Sequence, residues 1–175
     1  MTHPWQVTTR LQHGHCSYCG AEYPENAPWP RVCVGCGETT WRNPLPVAVM
    51  LVPVRHRDGG PDGLVVVRRD IEPGRGELCL PGGFIDFGET WAEGAVRELR
   101  EETGLPADPS EVDLFDVVST PRHVMVFGIV PPRDADRLPA SVPTEEATEW
   151  LVLREARVLA FPSHTGVMRR YFASA

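Results

Sequence analysis

The sequence predicts an α/β fold, an α/β/α sandwich around a mixed sheet, preceded by a small cysteine-rich ribbon. Short apolar runs typical of buried strands are separated by turn residues, and an amphipathic helix lies among them. Two cysteine pairs near the N-terminus precede all of these runs. The length of 175 residues leaves room for one core and a small appendage. We expect a flexible tail over residues 1–10, the ribbon over residues 11–40 and the main domain over residues 41–175.

The strands are predicted from apolar runs that end at glycine, proline or charged residues. A proline-bearing linker over residues 41–46 leads into a buried strand at residues 47–52. A glycine-rich turn at residues 57–63 separates it from the next strand, at residues 64–67. Further along the chain we expect strands at residues 112–119, 124–130 and 150–153, a proline-rich loop at residues 131–146 and a closing helix at residues 165–172.

The helix after the first strands has a start and an end that can be read from the sequence. Thr90, with Glu93 three positions later, forms the pattern of a capping box. Gly104 followed by Pro106 is typical of a helix end, because glycine adopts the left-handed conformation and proline cannot continue the helix. We therefore expect a helix between Thr90 and Gly104.

Three glutamates lie on one side of this helix. At about 100° per residue, Glu98, Glu101 and Glu102 fall within an arc of about 100° that borders the apolar stripe. Close carboxylates repel one another unless cations neutralise them, and hard oxygen ligands suit Mg²⁺ or Mn²⁺. A glycine turn at residues 80–83 precedes the helix, where a backbone carbonyl can approach a metal because no Cβ intervenes. Alone, the three glutamates more often form a solvated acidic surface.

The residues around these glutamates favour chemistry over a solvated surface. The run from Gly83 to Leu105 resembles the signature of the Nudix hydrolase family, Gly-x5-Glu-x7-Arg-Glu-aliphatic-x-Glu-Glu-x-Gly-aliphatic, at every fixed position. The resemblance implies an α/β/α sandwich that hydrolyses a nucleoside diphosphate linked to another group. It also implies Mg²⁺ or Mn²⁺ as the catalytic cofactor.

The resemblance also implies roles for individual residues. The implied metal ligands are Glu98, Glu101, Glu102 and the carbonyl of Gly83, with Glu89 as an outer metal ligand or a base. The implied catalytic residues are Glu98, Glu101 and Arg97, with Arg97 placed to orient a glutamate by a charge-assisted hydrogen bond. Some family members take the general base from a loop outside the signature, and Glu146 in the acidic stretch 145–149 is our candidate. A solvated loop is the alternative interpretation of that stretch.

Residues that bind the substrate are harder to predict. We expect Arg68 and Arg69, at the end of a predicted strand, to contact phosphate, and Phe84 to stack on a base. Other arginines could contact phosphate instead, namely Arg42, Arg75 and Arg122, and other aromatic residues could stack on the base, namely Trp41, Phe87, Trp91 and Tyr171. For all of these residues the alternative is a structural role, as a surface charge for the arginines and in the core for the aromatic residues. Pro121 lies 16 positions after Leu105, a spacing associated with ADP-ribose pyrophosphatases of the family. The Ser-Gln-Pro-Trp motif of NADH pyrophosphatases is missing, although the layout of ribbon and signature is similar to theirs.

The cysteines indicate a second metal site. The pairs Cys16-x2-Cys19 and Cys33-x2-Cys36 are separated by 13 residues, close to the spacing of four-cysteine zinc ribbons. Four thiolates leave no open coordination position, so we expect this Zn²⁺ to be structural. Two disulfides are the alternative, and His13 and His15 are possible substitute ligands.

The fifth cysteine, Cys79, lies in a short apolar run. No activating base is evident beside it, so a buried hydrophobic role is favoured over a nucleophile.

Composition limits the classes of function. The formal charge of −7 argues against general nucleic-acid binding, and an anionic substrate would be repelled without metal ions. No apolar run has the length of a membrane span and the N-terminus lacks the pattern of a signal peptide, so we expect a cytoplasmic protein without a membrane partner. A homodimer is possible by analogy with the family.

These observations favour a hydrolase that acts on a small-molecule nucleotide, ADP-ribose or a related nucleotide sugar. The alternatives are an NADH or NAD-cap pyrophosphatase, an RNA-cap hydrolase, and a non-catalytic nucleotide-sensing interaction module. Leu78 and Val152 stand where large aromatic residues are common in the family, which weakens inferences about base recognition.

Overall fold

The computed structural model describes residues 13–57 and 62–174. The predicted tail over residues 1–10 lies outside the described residues, as do the first two residues of the predicted ribbon. The chain divides into two compact units, residues 1–43 and 44–175. Across the described residues, no helix combines the length and the apolar character needed to cross a membrane.

The first unit contains a two-stranded antiparallel sheet, β1 (Arg31–Val32) and β2 (Thr39–Thr40). Its small core is formed by Cys16, Tyr23 and Cys33. The Tyr23 hydroxyl shares a hydrogen bond of 2.8 Å with the Thr40 hydroxyl, which joins the core to β2. So few buried apolar side chains indicate that this unit depends on another source of stability.

The second unit contains two sheets, and both combine parallel and antiparallel pairs. The four-stranded sheet has the order β7–β3–β9–β8, with β3 parallel to β9. The other sheet has the order β10–β4–β5–β11, with β6 also paired to β5 and β10 parallel to β4. The strands are β3 (Leu45–Leu51), β4 (Pro53–Arg55), β5 (Gly63–Arg69), β6 (Leu78–Cys79), β7 (Gly82–Phe84), β8 (Asp113–Ser119), β9 (His123–Ile129), β10 (Arg133–Asp134) and β11 (Ala147–Leu153).

Two helices pack against opposite faces of these strands. Ala48 and Met50 of β3 belong to the core cluster that includes Leu99 of helix α1 (Trp91–Thr103). The intervening residues, Val49 and Leu51, belong to a separate cluster with the helix α2 (Pro162–Ser174). Because successive strand residues point to opposite faces, this alternation places one helix on each side. The predicted α/β sandwich with mixed strand pairing is confirmed.

The ends of α1 agree with the sequence prediction. The Thr90 hydroxyl accepts from the Glu93 amide, and the Glu93 carboxylate accepts from the Thr90 amide, which completes the capping box. Gly104 has a φ of 72° and its amide donates to the Arg100 carbonyl. Since α1 begins and ends where its local hydrogen bonds require, the register of its glutamates is fixed.

The structure differs from the prediction mainly in short strands and element ends. The predicted loop over residues 131–146 contains β10 and a 3₁₀ turn at Ala135–Arg137, and β11 begins at Ala147 rather than at residue 150. The closing helix begins at Pro162, three residues earlier than predicted. Strands β4, β6 and β7 were not predicted as strands. Two- and three-residue strands are defined by their partners, which a local pattern does not contain.

Candidate active site

The carboxylates of α1 lie at different depths in the protein. Glu102 is 4% exposed, whereas the side chain of Glu98 is 13% exposed and that of Glu101 is 54% exposed. They occupy successive turns of one helix side, as the spacing predicted. The three acidic groups therefore extend from the protein interior to its surface.

Glu102 is held by Gly82, the first residue of β7. The Gly82 amide donates to Glu102 Oε2 over 2.9 Å. Burial, together with the negative charges of Glu98 and Glu146, raises the pKa of Glu102 to about 8, although the Gly82 hydrogen bond opposes the shift. A buried acid next to two others is a place where a divalent cation would relieve a large electrostatic cost.

Gly83 provides space for the Glu98 carboxylate. A Cβ at Gly83 would lie 2.4 Å from Glu98 Oε1 and 2.6 Å from Oε2. The next residue back, Gly82, has a φ of 153° and its Cβ would lie 2.4 Å from the Ala48 carbonyl oxygen. The two glycines are therefore required by close packing against α1 and β3 respectively.

Arg97 connects the carboxylates through its guanidinium group. Its Nε and Nη2 donate to the two oxygens of Glu89, over 2.8 and 3.0 Å. Its Nη1 donates to Glu98 over 2.7 Å and to Glu101 over 3.2 Å, and Nη2 also donates to the Phe84 carbonyl over 2.9 Å. Hydrogen bonds from Arg97 lower the pKa of Glu89, while burial raises that of Glu98. Arg97 is thus placed to hold Glu98 and Glu89 in fixed orientations.

The turn before β11 brings two more glutamates, Glu145 and Glu146, to the same site. The Thr144 amide donates to the Ala147 carbonyl over 2.8 Å, and the Asp70 amide donates to the Glu146 carbonyl over 2.7 Å. The resulting cavity has a volume of about 360 Å³. Its lining residues are Glu98, Glu101, Glu102, Thr144, Glu145 and Glu146.

Not every predicted site residue reaches this cavity. Arg69 is buried, donates to the Pro73 carbonyl over 2.8 Å and lies over the Phe161 ring at 5.1 Å. Arg68 forms an ion pair of 2.7 Å with Glu149. Neither arginine is among the residues that line the cavity. Both guanidinium groups already have protein partners.

Phe84 lies directly beside the glycine turn. Its ring is 53% exposed and lies 6.0 Å, between ring centroids, from the ring of His123. Its carbonyl accepts a hydrogen bond from Arg97, as described above. Phe84 therefore combines an accessible aromatic surface with a direct connection to the carboxylates.

The first unit brings four cysteines together. Their sulfur atoms all lie within 4.8 Å of one another, with Cys16 and Cys36 at 3.7 Å and Cys19 and Cys33 at 3.5 Å. These distances are far longer than the roughly 2.05 Å of a disulfide. They are close to the separation of about 3.8 Å that a tetrahedral zinc ion with Zn–S bonds of about 2.3 Å requires. The donor set therefore fits Zn²⁺.

The two cysteine knuckles have the same backbone hydrogen bonds. The Cys16 amide donates to the Ala21 carbonyl over 2.8 Å, and the Cys33 amide donates to the Glu38 carbonyl over 2.9 Å. The amides of Gly20 and Gly37 donate to the carbonyls of Cys16 and Cys33, and both glycines have positive φ, 76° and 78°. This repeated geometry aims both thiol pairs at one point.

Two contributors to the site were not identified from the sequence. The Gly82 amide could have been anticipated, because a buried carboxylate needs a donor and the glycine turn is the nearest source. Thr144 belongs to the cavity only through the turn before β11, for which the sequence has no distinctive pattern.

Cys79 agrees with the interpretation from sequence. It is 1% exposed, and burial raises the pKa of its thiol to about 12. A thiol that stays protonated at neutral pH is a poor nucleophile.

Comparisons with known proteins identify relatives of this chain. An archaeal ADP-ribose pyrophosphatase from Methanocaldococcus jannaschii is 34% identical over 113 residues, which cover 62% of this chain and 64% of the relative. An NAD-capped RNA hydrolase, NudC, from Escherichia coli is 29% identical over 94 residues, which cover 53% of this chain and 34% of the relative. The chain thus spans between about a third and two thirds of the length of these curated relatives.

Solved structures share the fold. A NUDIX hydrolase from Nitrosomonas europaea superposes with a TM-score of 0.66 at 24% identity, covering 91% of this chain and 90% of the other. The Nudix domain of Shewanella oneidensis NrtR, solved with ADP ribose, has a TM-score of 0.52 at 18% identity, covering 65% and 75%. The family model described as the NUDIX domain matches residues 44–173. Since this match covers the second unit, including the whole carboxylate cavity, the chain belongs to the Nudix family.

Proposed function

We propose that the protein is a metal-dependent pyrophosphohydrolase that cleaves the diphosphate bond of a nucleoside diphosphate linked to another group. The observation that carries this proposal is the acidic cavity lined by α1 and the turn before β11. It gathers three carboxylates from α1 and two from the turn before β11. Such a concentration of negative charge would repel an anionic substrate unless cations were bound there as well.

The donor set of the cavity fits Mg²⁺ or Mn²⁺, which prefer oxygen ligands. We propose that Glu98, Glu101 and Glu102 hold the ions, with the Gly83 carbonyl as an additional ligand. A direct ligand role for Glu89 would require its ion pair with Arg97 to open, since both of its oxygens contact the guanidinium. A bound divalent ion supplies charge neutralisation for the phosphates and lowers the pKa of a coordinated water.

Glu146 is our candidate for the general base. Its negative charge raises the pKa of both Glu98 and Glu102, which supports a position close to the proposed ligands. Its backbone is anchored by Asp70, and it comes from an element other than α1. A carboxylate so placed can accept a proton from the water that attacks phosphorus.

ADP-ribose or a related nucleotide sugar is the substrate we favour. This choice is supported by the similarity to the ADP-ribose pyrophosphatase from Methanocaldococcus jannaschii and by the position of Pro121, 16 residues after Leu105. We propose that the exposed ring of Phe84 stacks on a base of the substrate. Phosphate contacts from Arg68 would require it to exchange Glu149 for substrate, and Arg69 would have to leave its buried position.

An NADH or NAD-cap pyrophosphatase is the second candidate. The match to NudC favours it, and the four-cysteine cluster that precedes the Nudix domain agrees with the layout noted from sequence. Both candidates cleave the same kind of bond, so they differ in the leaving group and not in the reaction.

We also propose that the four-cysteine cluster binds one structural zinc ion. Its four thiol ligands leave no position for a water or a substrate. Because the first unit buries few apolar side chains, metal binding would supply much of its folding free energy. The cytoplasmic location and the homodimer stay predictions from sequence.

The test is hydrolysis of a panel that contains ADP-ribose, NADH, NAD⁺ and NAD-capped RNA, with Mg²⁺ or Mn²⁺ and identification of the products. ADP-ribose should give AMP and ribose 5-phosphate, and Glu101→Gln should lower the rate. Preferential cleavage of NADH or of the capped RNA would favour the second candidate. If neither the wild type nor Glu101→Gln cleaves any substrate with metal present, a non-catalytic binding module becomes the better explanation.

A further inference from the structure

A buried histidine lies outside the acidic cavity and has no part in the chemistry described so far. His164, in the first turn of α2, is 5% exposed, and its Nδ1 lies 3.3 Å from the Leu80 amide nitrogen. The rings of Phe127 and Phe161 lie near its imidazole, with centroid distances of 5.6 and 5.1 Å. Burying a polar ring among aromatic rings costs free energy unless the ring makes a hydrogen bond. The hydrogen bond with the Leu80 amide therefore stabilises the buried position of His164.

A second hydrogen bond joins the same two segments. The Ala160 amide donates to the Leu78 carbonyl over 2.8 Å. In an extended chain, the carbonyl of one residue and the amide two positions later point to the same side, so Leu78 and Leu80 present their free groups together. The residues in register with β5 on this segment are Leu78 and Cys79. Ala160, just before α2, and His164, in its first turn, therefore make hydrogen bonds that a neighbouring strand would otherwise make.

The segment from Leu78 to Leu80, which these two hydrogen bonds hold, continues into the two glycines of the turn. The carbonyl of Pro81, the next residue after Leu80, accepts a hydrogen bond from the Met50 amide over 2.8 Å. The residue after that, Gly82, donates its amide to the buried Glu102. The Leu80 amide bound by His164 is thus two residues from the amide that fixes a proposed metal ligand.

The protonation state of the ring suits this contact. An imidazole nitrogen accepts a hydrogen bond only when it is unprotonated, which places the proton of neutral His164 on Nε2. Burial, with a smaller effect from the positive charge of Arg69, lowers the pKa of His164 to about 3. The ring therefore remains an acceptor throughout the neutral range.

We propose that His164 is a positioning residue of the acidic site, which fixes the glycine turn through Leu80 and thereby the orientation of Glu102 for metal binding. It touches neither the substrate nor the ions. This inference rests on the metal ligands given under the proposed function, but not on the identity of the substrate or on the occurrence of hydrolysis.

The test compares two substitutions of His164 in the zinc-loaded full chain. His164→Phe keeps a flat ring and removes the acceptor, and His164→Asn replaces the ring with a side-chain oxygen that can accept from Leu80. Mn²⁺ binding is measured by electron paramagnetic resonance without substrate. We expect about tenfold weaker binding for the Phe variant, which corresponds to about one lost hydrogen bond, and binding within about threefold of wild type for the Asn variant.

A third variant separates positioning from general loss of stability. Met168 is fully buried in the same helix and shares a core cluster with Leu80, but its sulfur accepts a hydrogen bond from the Arg157 amide and not from the glycine turn. Met168→Ala should therefore destabilise this core while leaving the hydrogen bond between Leu80 and His164 in place. Unchanged Mn²⁺ binding in Met168→Ala supports the proposal. Equal weakening in Met168→Ala and His164→Phe, or unchanged binding in His164→Phe, would overturn it.

A measurement on the wild-type protein covers the case in which the Phe variant does not fold. The nitrogen chemical shifts of His164 distinguish its two neutral forms. An unprotonated Nδ1, with coupling across the hydrogen bond to the Leu80 amide, is the expected result. A proton on Nδ1 would refute the proposed contact, whatever the outcome of the hydrolysis assays.

Discussion

Arg97 contacts both carboxylate oxygens of Glu89, a residue that lies eight positions earlier and outside the helix that carries Arg97. The same guanidinium also donates to Glu98. One planar group thus connects the segment before α1 with a proposed metal ligand. A lysine has no fork of donors that could make these contacts together.

The first prediction concerns this fork. Arg97→Lys should lower kcat about 10- to 100-fold, because charge-assisted hydrogen bonds worth about 1.5–3 kcal/mol are lost. Steady-state kinetics with ADP-ribose would measure the change. Arg100→Lys is the matched control, since Arg100 is exposed on the same helix. Equal rates for Arg97→Lys and wild type would show that Arg97 does not orient the carboxylates.

The second prediction concerns the space that Gly83 leaves for Glu98. Gly83→Ala should displace the Glu98 carboxylate, whose Oε1 would lie 2.4 Å from the new Cβ, and weaken Mn²⁺ binding at least tenfold. Gly166→Ala is the control, because its Cβ would meet nothing closer than 3.6 Å and a helical alanine should add about 0.5–1 kcal/mol of stability. Isothermal titration and thermal unfolding would measure both. Normal Mn²⁺ affinity in Gly83→Ala would argue against Glu98 as a ligand.

The third prediction separates the general base from the metal ligands. Glu146→Gln should lower kcat about 10²- to 10⁴-fold while Mn²⁺ binding stays within a few fold of wild type. Glu145→Gln, the neighbouring change in the same turn, should have a much smaller effect on kcat. Rates as a function of pH, together with Mn²⁺ titrations, would measure these effects. A large effect of Glu145→Gln with none of Glu146→Gln would reverse the assignment.

The fourth prediction concerns zinc. The full chain should contain about one zinc ion, and Cys19→Ser should lose it because three thiolates are left. Cys79→Ser is the control, since Cys79 belongs to the core of the other unit. Metal analysis by mass spectrometry after dialysis would measure the content. Zinc retained by Cys19→Ser and lost by Cys79→Ser would contradict the four-cysteine site.

The fifth prediction follows from the lowered pKa of His164. Its ordinary pKa of 6.5 falls to about 3 in the folded protein, so between these values the unfolded state binds more protons and stability decreases as pH falls. From pH 7.5 to pH 5.5, the wild type should lose about 1.4 kcal/mol more unfolding free energy than His164→Asn, which lacks this titration. Urea unfolding at both pH values would measure the difference. Parallel pH dependence of the two proteins would show that His164 titrates normally.

Local patterns predicted α1 well because its determinants lie within the helix. The capping box at Thr90, the left-handed Gly104 and the spacing of the three glutamates depend on backbone hydrogen bonds between near neighbours. The cysteine knuckles are similarly local, since each is closed by bonds within six residues. The surroundings of Arg68 and Arg69 depend on distant residues instead, and their predicted contact with phosphate stays a prediction. A pair at a strand end suggested phosphate binding, but Glu149 and Phe161, distant in the chain, already contact their guanidinium groups.

The sequence by itself determined the α/β class, the family, the carboxylate helix and the four-cysteine cluster. Only the tertiary structure decided that Gly82 holds Glu102, that the turn with Glu146 closes the cavity and that His164 supports Leu80. The physical reason is the range of the interactions. Hydrogen bonds along a helix or within a knuckle are fixed by residue spacing, whereas contacts between α1, α2 and the turn before β11 depend on how the sheets bring distant segments together.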